Sequence, residues 1–167
     1  MNFILIGNII ALVASVIMVI SGIVKEKKKV LFYQSVEVGL AVISYLFLGA
    51  ISGAVINVIN LIRNYLCYKD KLNVVLKIIL TILSIVLVLY FNNEGLIGLL
   101  PLVCIIVYLW LITIKDIIKF KIMIISLMIL WTIYDFVVKN YVAGVFDILT
   151  ILANIISIIS IKKKRKK

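Results

Sequence analysis

The sequence has no histidine, one proline and two cysteines among its 167 residues. Lacking histidine, it lacks both the usual general base at neutral pH and the commonest metal ligand. Cys67 and Cys104 sit inside apolar runs with no CxxC spacing. That excludes a zinc or dithiol motif and reads as two small buried hydrophobes. Acidic residues are scarce, seven against eighteen basic, and no glycine-rich loop is spaced to cradle a phosphate. Glu37 or Asp147 could act as an acid or base, but nothing places a nucleophile or a second carboxylate at matched depth. The expectation is a protein that is not an enzyme, with no catalytic residues, no cofactor and no metal.

What the chain does have is apolar side chain. Its hydrophobic fraction is 65% and its mean hydropathy +1.29. Ordinary soluble domains are nearer half apolar, and a chain this short cannot bury such an excess, so the excess must face lipid. The net charge of +11 does not indicate nucleic acid. The basic residues form short clusters between long apolar runs, without the interleaved aromatics that stack on bases.

A membrane-spanning helix needs about 20 mostly apolar residues. Seven such segments can be marked: Phe3 to Val24, two within Val30 to Tyr68, Leu72 to Phe91, Leu96 to Ile114, Ile122 to Val138 and Tyr141 to Ile161. The run from Val30 to Tyr68 is too long for one crossing and is expected to turn at Gly49–Gly53, where glycines relax the backbone. The first run has no basic region ahead of it and is longer than a signal peptide core, so it is expected to be a retained span. Four clusters, Lys25–Lys29, Lys69–Lys71, Lys115–Lys121 and Lys162–Lys167, hold fifteen of the eighteen basic residues. With seven spans all four fall on one side, leaving Lys139 alone on the other. The bias of basic residues toward the cytoplasm then puts the N-terminus outside and the C-terminus inside. The Lys/Arg tail is expected to hold the C-terminus in the cytoplasm and attract anionic lipid, with docking of a partner as the alternative.

A repeat lies within this pattern. Gly53, Asn57, Asn60 and Asn64 in the third segment correspond, ninety positions on, to Ala143, Asp147, Thr150 and Asn154 in the seventh. The spacing puts each set on one helix face. Gln34, Glu37, Ala41 and Ser44 form a similar seam in the second segment. The expected fold is all-α: one integral membrane domain over 1–167, with repeat one at 3–68, a linker helix at 72–91, repeat two at 96–161 and a basic tail at 162–167. A single linker helix makes the two three-helix units parallel.

Several short motifs accompany the repeat: Gln34; Leu48-Gly49-Ala50 followed by Gly53, Asn57, Asn60 and Arg63; Leu99-Leu100-Pro101 with Trp110; Trp131-Thr132-Ile133-Tyr134-Asp135-Phe136; and Gly144, Asp147 and Asn154. In this order the chain resembles the YgjV family of bacterial inner-membrane proteins, and more distantly the SWEET and PQ-loop-like proteins, many of which move small solutes. The resemblance implies an inner-membrane location and a helical fold. The Pro-Gln dipeptide of the wider group is missing, and the only proline, Pro101, has no counterpart in the first segment, which sets aside proline-kink gating.

Polar residues inside an apolar zone cost about 2.5–3.5 kcal/mol when charged, so each needs a partner or a watery cavity. Glu37 and Arg63 lie at similar depth and are expected to pair. Lys77 is expected to snorkel to the surface. Tyr134 and Tyr141 read as interfacial aromatics and Trp131 as core. Gln34, Glu37, Asn57, Asn60, Arg63, Asp147 and Asn154 are the candidate lining for a small polar solute. The alternative has the same residues joining helix to helix at about 0.6 kcal/mol per bond. Partners on either reading are the lipid bilayer and, for so small a chain, a second copy of itself. The orientation has a direct check. In a cysteine-free background, Lys139→Cys and Lys164→Cys should label with an impermeant maleimide from opposite faces of the membrane.

Overall fold

A computed structural model describes residues 2–165. Among these residues there are seven helices and no strand: α1 (Phe3–Ile23), α2 (Lys27–Leu48), α3 (Ile51–Tyr68), α4 (Val74–Phe91), α5 (Leu99–Leu111), α6 (Ile117–Val137) and α7 (Tyr141–Arg165). α1, α2, α4, α6 and α7 are long and apolar enough to cross a membrane. α3 is 18 residues long, but three asparagines and Arg63 lower its hydropathy. α5 has only 13 residues, about 20 Å of helix. It is shorter than the span expected from Leu96 to Ile114, because residues 95–98 and 112–113 form turns at its two ends.

Capping side chains set several boundaries. Asn2 Oδ1 accepts from Leu5 N, and Asn73 Oδ1 from Leu76 N. Asp116 Oδ1 accepts from Ile118 N and Lys119 N, so α6 starts before the basic residues and not after them. Each such cap satisfies amides that have no partner within the helix. Helix α7 continues from the apolar run into the basic tail as far as Arg165, while Lys166 and Lys167 lie outside the described residues.

The α2–α3 and α6–α7 turns close in the same way. Ala50 N donates to Tyr45 O at 3.0 Å, and Asn140 N to Asp135 O at 2.8 Å. Each bond follows a left-handed residue, Gly49 at φ 72° and Lys139 at φ 63°. This is a helix-ending motif that favours glycine, and it recurs here at the ninety-residue offset of the repeat.

The helices pack largely in chain order. α1 lies between α2 and α7, which closes a ring, and α4 sits outside it against α3 and α5, which also touch each other. Around the ring α2 therefore stands opposite α6, and α3 opposite α7. The basic clusters gather at one end: Lys28 Nζ bonds Asp70 Oδ2 at 2.9 Å, Lys27 Nζ the Ile114 carbonyl and Lys25 Nζ Ser160 Oγ. At the other end Asn8 ties α1 to Lys139 O and Val142 N, and Asn93 donates to Gly49 O. Apolar side chains such as Leu12, Val86, Leu89, Ile129 and Ile156 point outward, where a bilayer would cover them.

Ring closure depends on close approach. A Cβ on Gly22 would lie 3.0 Å from Ala153 Cβ and from Asn154 Nδ2. Gly22→Leu should therefore overpack the α1–α7 seam and cost about 1–3 kcal/mol, read as a lowered melting temperature in detergent. Gly39→Ala, in the interior of α2 where a Cβ meets nothing within 4 Å, should not lower the melting temperature and should raise it slightly, since glycine within a helix costs about 0.5–1 kcal/mol relative to alanine.

Candidate functional site

Inside the ring is a cavity of about 80 Å³, several times the ~10–15 Å³ that one water requires. Its polar walls come from Ser15 of α1; Gln34, Glu37, Ser44 and Tyr45 of α2; Asn57, Asn60, Arg63 and Asn64 of α3; Tyr108 of α5; Asp135 of α6; Asn140 in the last turn; and Asp147 of α7. Six of the seven candidates from the sequence thus share one space. Asn154 is elsewhere.

The α3 wall is organised within its own helix. Asn57 Nδ2 donates to Gly53 O at 3.0 Å and Asn60 Nδ2 to Asn57 Oδ1 at 3.2 Å. The buried Arg63 guanidinium donates to Asn60 Oδ1 at 2.6 Å and twice to Asn64 Oδ1, at 3.1 and 2.8 Å. It also stacks on the Tyr108 ring, its Cζ 3.8 Å from the centroid, a favourable placement for a cation over an aromatic face. Tyr108 in turn donates its hydroxyl to Gln34 Oε1 at 2.6 Å. The expected Glu37–Arg63 ion pair is absent, and the only salt bridges among the described residues are Lys28–Asp70 and Lys29–Glu26. Matched depth brought the two groups into one cavity, but the neutral asparagine oxygens, one turn away or adjacent on α3, hold the guanidinium instead.

Toward the opposite end, Tyr45 donates its hydroxyl to Asp135 Oδ1 at 2.6 Å, and Asn140 Nδ2 approaches the same oxygen at 3.3 Å. The Asp147 carboxyl lies close to that of Asp135. Trp131 stacks on Tyr45 with 6.1 Å between centroids and also lines the cavity.

Compared with family models, the chain matches one described as a bacterial inner membrane protein, Imp-YgjV, over residues 5–165. It belongs to the Imp-YgjV family. With its apolar helices, that makes it an integral, multi-pass protein of the bacterial inner membrane. No curated protein and no solved structure matches it.

In this YgjV-family chain four polar residues depart from the sequence expectation. Lys121, expected in a loop, lies within α6 and is fully buried. Its Nζ donates to Gly22 O at 2.6 Å and to Asn154 Oδ1 at 3.2 Å, so it caps the carbonyl end of α1, where a cation is favoured. Asn154 therefore belongs to a junction of α1, α6 and α7 and does not reach the cavity. Tyr134, expected at the interface, is fully buried, and its hydroxyl accepts from Gly53 N at 2.9 Å. Lys77, expected to snorkel to the surface, is buried instead, its Nζ bonding Thr113 Oγ1 and Trp110 O.

Tyr45, Tyr108 and Asn140 were not selected from the sequence. A signal existed for one of them: Tyr45 and Asp135 are ninety positions apart, and residues related by the repeat meet across the ring. Removing the Tyr45 hydroxyl leaves Asp135 one donor short. Tyr45→Phe should cost about 1.5–3 kcal/mol, measured as a drop in melting temperature that Tyr90→Phe, on the exposed surface, does not produce.

Proposed function

We propose that the protein is a small-solute transporter or permeation protein of SWEET-like architecture, with its site in the cavity between two parallel three-helix repeats. The observation that carries this reading is a polar cavity whose α3 wall bonds within α3. Asn57 and Asn60 do not join one helix to another, as residues serving only as interhelical glue would. Their partners lie on their own helix while they face the cavity. Charged and amide groups inside a membrane protein normally border a pathway or a watery space. The two matching turns and the Tyr45–Asp135 contact, all at the ninety-residue offset, support the repeat.

The basic clusters at one end of the bundle favour that end facing the cytoplasm, with the N-terminus outside. Anionic lipid is the expected partner of the tail.

The alternative, a structural or partner-binding role, draws its support from the Lys121–Asn154–Gly22 junction, where polar groups do connect three helices.

The test is a screen of small polar solutes for uptake into vesicles containing the purified protein. Asn57→Leu combined with Asn60→Leu fills the cavity without breaking a bond to another helix. It also takes the Asn60 acceptor from Arg63, so the melting temperature should fall somewhat, while uptake per folded protein should drop at least about ten-fold. No uptake of any solute, or uptake indifferent to the double substitution, overturns the transport reading.

A further inference from the structure

The polar atoms left without a partner in this cavity are sorted by sign. Among the described residues four buried side-chain atoms have no hydrogen-bond partner: Asn64 Nδ2, Asn140 Oδ1, Asp147 Oδ2 and Glu94 Oε2. The first three belong to residues that line the cavity. Asn64 Nδ2 is a donor, and it sits beside Arg63. The amide cannot be turned round, because its oxygen faces the guanidinium. Arg63 is buried among neutral acceptors and one aromatic ring, with no carboxylate in salt-bridge contact, and two of its five N–H groups remain free for a ligand. This end presents donors and positive charge.

The other end presents the reverse. Asn140 Oδ1 and Asp147 Oδ2 are acceptors, and both lie beside Asp135. Asn140 is 2% exposed, and its orientation is fixed by its Nδ2 contact with Asp135. Buried polar groups without partners are rare in native proteins and call for an occupant. Here one end calls for an anionic acceptor and the other for a cationic donor.

The separation of the ends limits what can satisfy both. Gln34 belongs to the Arg63 end through Tyr108, and Tyr45 to the Asp135 end. They are eleven residues apart on α2, about 16 Å of helix, less the reach of the side chains. An α-amino acid carries both charges on one carbon and cannot span that distance. Glu37 faces the space between.

Resting on the transport reading above, we propose that the solute is an elongated zwitterion, an ω-amino acid or its equivalent. Its carboxylate would be held by Arg63 and Asn64, and its ammonium by Asp135, Asp147 and Asn140.

The experiment uses the full chain in detergent and in vesicles, with five probes: ε-aminocaproate, alanine, hexanoate, putrescine and glycerol. Binding is read by calorimetry and transport by uptake. ε-Aminocaproate should bind at least about ten-fold more tightly than any of the others. Asp147→Asn, which keeps the shape, should weaken it by about ten-fold or more, and Arg63→Gln should do the same. Should either variant fail to fold, the ranking of probes on the parent protein still decides. A preference for alanine, for either ion of a single sign (hexanoate or putrescine) or for glycerol overturns the zwitterion proposal and leaves transport standing. Absence of binding by all five also overturns it. Binding of ε-aminocaproate without uptake upholds the recognition and removes transport.

Discussion

Lipid offers no hydrogen bonds, and the rest of the fold follows from that constraint. Backbone amides are satisfied by coiling into helices. Polar side chains cannot be satisfied that way, so they need an interior. The chain makes one by closing six helices into a ring, and closure depends on glycine at the α1–α7 seam. A single larger side chain at Gly22 would press on Ala153 and Asn154. Without that seam Arg63, Glu37 and the two aspartates would open to hydrocarbon.

Within the ring, polar groups do two kinds of work, distinguished by where their bonds go. Lys121 and Asn154 bond outward to other helices and fix α1, α6 and α7 against one another. Asn57, Asn60 and Arg63 bond along their own helix, which sets their orientation without tying α3 to its neighbours through those atoms. Tyr45 and Tyr134 stand between these cases, reaching across from α2 and α6 to anchor the acidic end of the cavity.

Much of this was legible in the sequence. Apolar run length located every helix, and the ninety-residue offset singled out the cavity-lining asparagines of α3 and, on α7, Ala143 and Asp147 but not Thr150 or Asn154. The misses share a cause: hydropathy counts charges without knowing their partners. Lys121 reads as a loop residue until the free carbonyls of α1 are placed beside it, although Asp116 followed by an apolar run already marked an earlier helix start. Glu37 and Arg63 read as a pair because depth is readable from sequence and direction is not. Asn154 shared the repeat's pattern with Asn64 but met a lysine that the first half lacks.

Helix α3 carries a consequence for how the protein is made. Its polar seam leaves it short of the apolarity of α1, α2, α4, α6 and α7, so it is a poor candidate to leave the translocation channel for lipid on its own. The tight turn at Gly49 joins it to α2, and the lysines flanking the two helices gather at one end. The pair is therefore suited to insertion as one hairpin, with α2 supplying the apolar surface that α3 lacks. Assembly of the cavity would then begin with its most polar wall already in the bilayer beside α1, waiting for α5, α6 and α7 to enclose it.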